Sequence, residues 1–242
     1  MPIPKPRRGL RDRPTLPPHL DLEIADRYGG LVSTGPMVEI GGSSTLNLRL
    51  HTTDGVFVVR LYRSWMPPAR LQSIQAGRHH LADVAIPCPL PVAARDGNSW
   101  TEVDGHLVEI EPCISFDGKM DTWDWLEQGL PLLGRLHDRL LSLDAPREGH
   151  IAPASNSIDR EDLVEGVRQG AARLRDVHMS DDELELADAS EMLAQQVATA
   201  DRSLDTGPRQ LVHGDFWDNN VSFRDGQIVL VADLEEWQRN LR

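Results

Sequence analysis

Five polar side chains near the end of the chain, His213, Asp215, Asn219, Asn220 and Asp233, stand at the ends of runs built to be buried, in LVHGDFWDNNVSFRDGQIVLVADLEEW. Leu211-Val212 leads directly into His213-Gly214-Asp215, and Ile228 to Val231 leads into Asp233. The Asp225-Gly226 pair between the runs signals a hairpin, which folds the chain back and lets Asn220 and Asp233 approach each other beside Asp215. A carboxylate and an amide oxygen are hard ligands suited to Mg²⁺, which completes its shell with phosphate and water. A further carboxylate close to the metal can accept a hydroxyl proton. Base, amide ligand and carboxylate ligand are the catalytic-side parts of a phosphoryl-transfer site.

Each residue also has an ordinary explanation. An Asp after a strand is usually a turn residue or cap, and Asn219-Asn220 is common turn chemistry. The joint occurrence after two apolar runs is what points to a site.

The elements that must position these groups fall into two textures. From Val38 to Ile114, short alternating segments are separated by turn signals. VEIGGSSTLNLRLHTTDGVFVVRLY reads as three strands with a glycine turn and a Thr53-Asp54-Gly55 turn, and TEVDGHLVEIEPCI reads as a hairpin on Asp104-Gly105. Between them RLQSIQAGRHHLADV carries Leu71, Ile74, Leu81 and Val84 at helical spacing, and the prolines of IPCPLPV then end the helix. From Thr122 onward the texture is helical. Leu126, Leu130, Leu133, Leu136 and Leu140 predict one apolar stripe, with a kink or fresh start at Pro131. IDREDLVEGVRQGAARLRDV is a second helix, and Ser180 with Glu183 forms a capping-box pair opening a third.

At 242 residues, with 40% hydrophobic and 26% charged residues, the chain can bury a real core as one large domain or two lobes sharing a cleft. No apolar run reaches the roughly eighteen residues of a membrane span. The N-terminal MPIPKPRRGLRDRPTLPPHL is basic and proline-rich without an apolar core, so it reads as a flexible leader over residues 1–20 rather than a secretory signal. Cys88 and Cys113 are too few for a disulfide framework or zinc knuckle. A cytoplasmic enzyme or binding protein is expected. The net charge of −13 argues against a nucleic-acid partner and is compatible with a cationic ligand or simply with solubility.

HGDFWDNN followed by VLVADLEEW resembles the signature of the aminoglycoside phosphotransferase and choline kinase-like family, small-molecule kinases with the protein-kinase fold. That family's pattern is HxDxxxxN followed by a metal-binding Asp on the next strand. The likeness extends to GGSSTLNLR, DGVFVVRLY, IPCPLPV, VEIEPCISFDG and LGRLHDRL. It implies an α+β, bilobal fold, with a β-rich nucleotide-binding lobe over residues 21–112 and a mainly helical lobe carrying the catalytic loop over residues 113–242.

Residue by residue, the resemblance makes Asp215 the catalytic base, gives His213 a structural role in the catalytic loop, and makes Asn220 and Asp233 the Mg²⁺ ligands. Arg60 falls where the family has a phosphate-contacting Lys or Arg, although a solvated strand arginine is nearly as good a reading. Gly42 and Ser43 belong to the turn over the phosphates, and backbone groups around Glu111 and Cys113 would hold the adenine. The donor would be ATP or GTP, and the acceptor a small-molecule hydroxyl that the sequence leaves open among aminoglycosides, homoserine, choline and other alcohols.

Three departures stand out. Gln75 aligns where the helix ordinarily supplies a Glu to pair with the strand Arg or Lys. Gly214 and Trp217 replace the Arg and Lys of protein kinases, favouring a small acceptor over a protein. The chain stops at Arg242, where similar proteins continue through further helices, so a C-terminally short helical lobe is expected. The rivals are a metal-dependent phosphoesterase using His213, Asp215 and Asp233 as ligands, and a non-catalytic nucleotide-binding remnant. Nucleotide-dependent thermal stabilisation separates the phosphoesterase from the other two, and turnover separates those.

Overall fold

A computed structural model describes residues 13–42, 45–141, 143, 160–177, 180–204, 209–236 and 238–241. After a short helix α1 (Leu20–Arg27), the first half builds β1 (Val38–Gly41), β2 (Leu46–Thr52), β3 (Gly55–Leu61), helix α2 (Pro68–Asp83), β4 (Thr101–Val103) and β5 (His106–Pro112). The five strands form one antiparallel sheet in the order β1-β2-β3-β5-β4. The β4–β5 hairpin turns on Asp104 and Gly105, with φ of 50° and 76°. Both central residues are left-handed, as a two-residue turn matching strand twist requires.

Strand alternation gives this sheet two unlike faces. Leu46, Leu48, Leu50, Val59, Leu61, Val108 and Ile110 turn one way and pack with Leu20, Ile24 and Tyr28 of the α1 segment. Arg60, Tyr62, Glu109 and Glu111 turn the other way, toward α2, whose Arg78 and Gln75 meet them. The site grows from that charged face.

The second half contains β6 (Gly118–Lys119), helices α3 (Trp123–Leu140), α4 (Arg160–Arg175) and α5 (Asp181–Leu204), then β7 (Arg209–Val212), β8 (Val221–Arg224), β9 (Gln227–Val231) and β10 (Gln238–Leu241). β8 lies between β6 and β9, and β7 pairs with β10. The β8–β9 hairpin repeats the Asp-Gly device at Asp225 and Gly226, with φ of 50° and 73°. Ile74, Leu81, Leu132, Leu136, Leu140, Leu211, Phe223, Val231 and Leu234 form one core, tying α2 to α3 and to the strands that carry the polar constellation. The Ser180–Glu183 capping box forms as expected, with Ser180 N donating to Glu183 Oε2 at 2.8 Å. Among the described residues, no helix is long and apolar enough to cross a membrane.

Three local expectations change. The leader expected to be flexible over residues 1–20 is ordered from Arg13, with Pro14 and Pro17 buried; residues 1–12 lie outside the described residues. Helix α1 then begins at Leu20, where LDLEIADR is too short to show a periodic signal. Helix α3 runs through Pro131 as one helix; Leu136 and Leu140 of the predicted stripe are buried and Leu126 packs against the core, while Gly129 and Leu132 join the buried line. Leu130 is 53% exposed. The rotation brings Gly129 against Met120, where a larger side chain would clash with the methionine sulfur.

Candidate active site

The loop after β7 is held by bonds between two side chains and the main chain. His213, 1% exposed, follows β7 and donates from Nε2 to the Ala232 carbonyl at 2.8 Å, while its Nδ1 accepts from Asp215 N at 3.3 Å. This pairing requires the neutral Nε2–H tautomer. Burial also pushes the imidazole pKa below its ordinary value. Both ring nitrogens are thereby committed, so His213 is not a metal ligand here, which removes the first ligand of the phosphoesterase reading.

Asn220, buried at 3% exposure in a short 3-10 turn before β8, donates Nδ2 to the Asp215 carbonyl at 2.8 Å and to Asp215 Oδ2 at 3.2 Å. Its amide oxygen is left to accept. Its backbone carbonyl accepts from Ala232 N at 2.9 Å, so the two strand ends carrying Asn220 and Asp233 are stitched together one residue before Asp233. Asn219 turns the other way: its Oδ1 takes Lys119 Nζ at 2.8 Å. The neighbouring asparagines are thus separated into an inward and an outward residue.

Asp233 sits at φ 54°, a left-handed conformation that Asp tolerates better than most side chains. Its Oδ1 accepts from Arg60 Nη1 at 3.1 Å, and its side chain remains 45% exposed. Arg60 is no solvated strand arginine. Its side chain is 11% exposed, and it donates Nε to Glu111 at 2.9 Å and Nη1 also to Glu235 at 3.4 Å. These carboxylates raise its pKa against the opposing effect of burial. Among the described residues its bonds run from Nε and Nη1, and Arg60 lines a small pocket together with Glu111, Asp233 and Glu235.

The turn expected over the phosphates follows β1. Gly42 has φ 103°, and a side chain there would meet the Thr45 carbonyl and, at 2.8 Å, the Asn47 amide. Ser43 lies outside the described residues. Arg13 reaches across this turn, donating to the carbonyls of Thr45 and Gly41 at 3.2 Å each and to Glu39 Oε1 at 2.6 Å.

Glu111 lies in β5 and Cys113 follows its last residue. The Glu111 side chain is buried in the arginine cluster, and the Cys113 N–H donates to Val56 O at 2.9 Å. Strand alternation then turns the Pro112 carbonyl and the Ile114 N–H toward the open edge.

Asn220 Oδ1 and the second oxygen of Asp233 suit a hard cation that keeps phosphate and water in its shell. Among the described residues no group of three His, Cys, Asp or Glu side chains could hold a metal unaided.

The family model for the phosphotransferase enzyme family matches residues 38–238. The chain belongs to that family. Homoserine kinase of Acidiphilium cryptum is 39% identical over 69 residues, which cover 28% of this chain and 22% of that one. Homoserine kinase of Gluconobacter oxydans is 28% identical over 224 residues, 89% of this chain and 66% of that one. The chain therefore spans less than two thirds of the length of the curated relatives it matches. Spectinomycin phosphotransferase in its AMP-bound complex superposes with a TM-score of 0.64 at 12% identity, covering 93% of this chain and 72% of that one. The likeness shows a shared kinase-like, bilobal α+β fold.

The structure bonds Asn220 to Asp215 and Arg60 to Asp233, and it adds Glu109, Arg78 and Arg13, which the sequence did not point to. The alternating HLVEIEP carried a signal, since two glutamates two residues apart on a strand share one face. Their arginine partner lies more than thirty residues away and left no local trace.

Proposed function

We propose that this chain transfers the γ-phosphoryl group of ATP, or GTP, to a hydroxyl of a small molecule, with Asp215 as the base. The observation that carries the reading is the double hold on Asp215. His213 accepts its N–H and Asn220 donates to its carbonyl and carboxylate, so loop and base are oriented together.

In this reading the acceptor hydroxyl gives its proton to the Asp215 carboxylate as its oxygen bonds to the γ-phosphorus. The bond from phosphorus to the β–γ bridging oxygen breaks, and the nucleoside diphosphate leaves. Asn220 and Asp233 would hold Mg²⁺, which would draw charge from the phosphate oxygens. Arg60 would present Nη2 to the same phosphates. The turn at Gly42 would cover them, and the Pro112–Ile114 edge would take the base, with the two lobes meeting after Pro112.

The acceptor class rests on Gly214 and Trp217, where a peptide-binding kinase carries cationic residues, and on relatives named homoserine kinase. Homoserine is the first alcohol to test, followed by aminoglycosides. Free cysteines at 88 and 113 support a reducing, cytoplasmic setting. The test is nucleotide-dependent thermal stabilisation, then release of nucleoside diphosphate with each alcohol in turn. Acceptor-dependent release supports the reading. Stabilisation without turnover on any alcohol would favour a non-catalytic nucleotide binder.

A further inference from the structure

Helix α2 has no acid to offer Arg60. Its only carboxylate is Asp83, the last residue of the helix, and the residue it sends into the cluster is an arginine. Arg78, 5% exposed, donates Nη1 to Glu111 Oε2 at 2.6 Å and Nη2 to Glu109. Glu111 gives its other oxygen, Oε1, to Arg60 Nε at 2.9 Å. One carboxylate, 3% exposed, thus spans two guanidinium groups, one on the central strand β3 and one on α2.

We propose that Glu111 positions Arg60 for the nucleotide phosphates, and that Arg78 sets Glu111, so α2 is coupled to the phosphate site through an acid of the sheet. The inference rests on the phosphoryl-transfer reading above. Its physical content is directional. Glu111 takes Nε, and Asp233 and Glu235 share Nη1, so Nη2 is the donor group left over for a phosphate. Without the Glu111 charge the guanidinium keeps only its Nη1 partners and loses the bond that holds its Nε side, and Arg60 and Arg78 become two buried like charges with one carboxylate fewer between them. Glu109 keeps Arg78 in place from the next inward position of the same strand, with Gln75 and Tyr62 on its remaining lone pairs. Gln75 therefore serves Glu109 rather than Arg60. The ion pair usually made by the helix is made one layer away.

The test compares Mg²⁺-ATP with adenosine, by calorimetry, on the full chain and two variants. Glu111→Gln keeps the shape and removes the charge. Glu109→Gln/Arg78→Met/Glu111→Met removes the buried charges around Arg60 together, which well-packed apolar substitution tolerates. Positioning predicts that both variants lose ~10-fold or more in ATP affinity, the scale of a lost charge-assisted contact, with adenosine affinity unchanged within about 2-fold. A purely structural role predicts that the triple variant recovers wild-type ATP affinity, and that result would overturn the proposal. So would failure of both variants to fold, which would make the cluster a folding element. Wild-type protein that binds adenosine and ATP equally would overturn the phosphoryl-transfer reading as well, whereas wild-type preference for ATP that survives in both variants overturns this inference alone.

Discussion

Arg60 and Asp233, 173 residues apart, meet through Nη1 and Oδ1 at 3.1 Å. The pair joins the central strand of the first sheet to a residue two positions beyond the end of β9, so the proposed phosphate contact and the proposed metal ligand hold each other in place.

Replacing Arg60 therefore has two consequences of different kinds. Arg60→Ala leaves Glu111, Asp233 and Glu235 short of a cation, and breaking a buried pair in this way costs about 3–5 kcal/mol. Arg60→Lys keeps the charge but not the fork. We expect Arg60→Lys to melt near wild type and to bind ATP more weakly with adenosine binding retained. Equal losses for both ligands would assign Arg60 to the fold alone.

Asp233→Ala removes a carboxylate proposed to face Mg²⁺. Binding of Mg²⁺–nucleotide should weaken far more than binding of nucleotide in EDTA, because only the former loses a ligand charge. Calorimetry giving the same loss in both media would contradict the metal assignment.

Gly42→Ala places a side chain at φ 103°, against the Thr45 carbonyl and the Asn47 amide. Strain at such a position costs on the order of 1–3 kcal/mol. That is a fall of roughly 2–4 °C in melting temperature per kcal/mol for a chain of this size. Differential scanning calorimetry with and without ATP should show the nucleotide-dependent increment shrinking too. An unchanged melting temperature would mean the turn relaxes freely.

Much of this was legible in the sequence, for local reasons. Asp104-Gly105 and Asp225-Gly226 specified their hairpins because left-handed φ at both central residues is chemically demanding. Ser180 and Glu183 specified a helix start through bonds spanning three residues. The HGDFWDNN loop was readable because its residues act within a short stretch. The stripe of α3 was right at Leu136 and Leu140 and wrong at Leu130, because leucines lie on several sides of that helix and the approach of Gly129 to Met120 is a tertiary contact. Helix α1 and the docking of Arg13 depend on a sheet that follows them in the chain. The arginine–glutamate cluster joins residues 33 and 51 apart, and the aligned Gln75 gave no reason to look to β5 for the missing acid.

His213 makes stability depend on pH. Burial holds its folded pKa below the ordinary 6.5. Below that pH the unfolded chain takes up a proton that the folded chain refuses, so the unfolded state is favoured as pH falls. The contribution is complete above about pH 6.5 and is lost progressively toward the depressed folded value, at no more than about 1.4 kcal/mol per pH unit. Urea midpoints at pH 7.5 and 5.5 should differ in the wild type and differ less in His213→Gln. A His213→Gln protein with the full wild-type pH slope would place the titration elsewhere.

The most direct measurement is the turnover of Asp215→Asn relative to wild type, read as acceptor-dependent transfer of γ-³²P from ATP, with nucleotide affinity measured on the same preparations. Loss of a general base lowers turnover on the order of 10²–10⁴-fold, and the isosteric amide should leave ATP affinity within about 2-fold, since the base is assigned to the acceptor side. Asp215→Asn protein that transfers phosphate to the alcohol at the wild-type rate would contradict the assignment of Asp215 as the base.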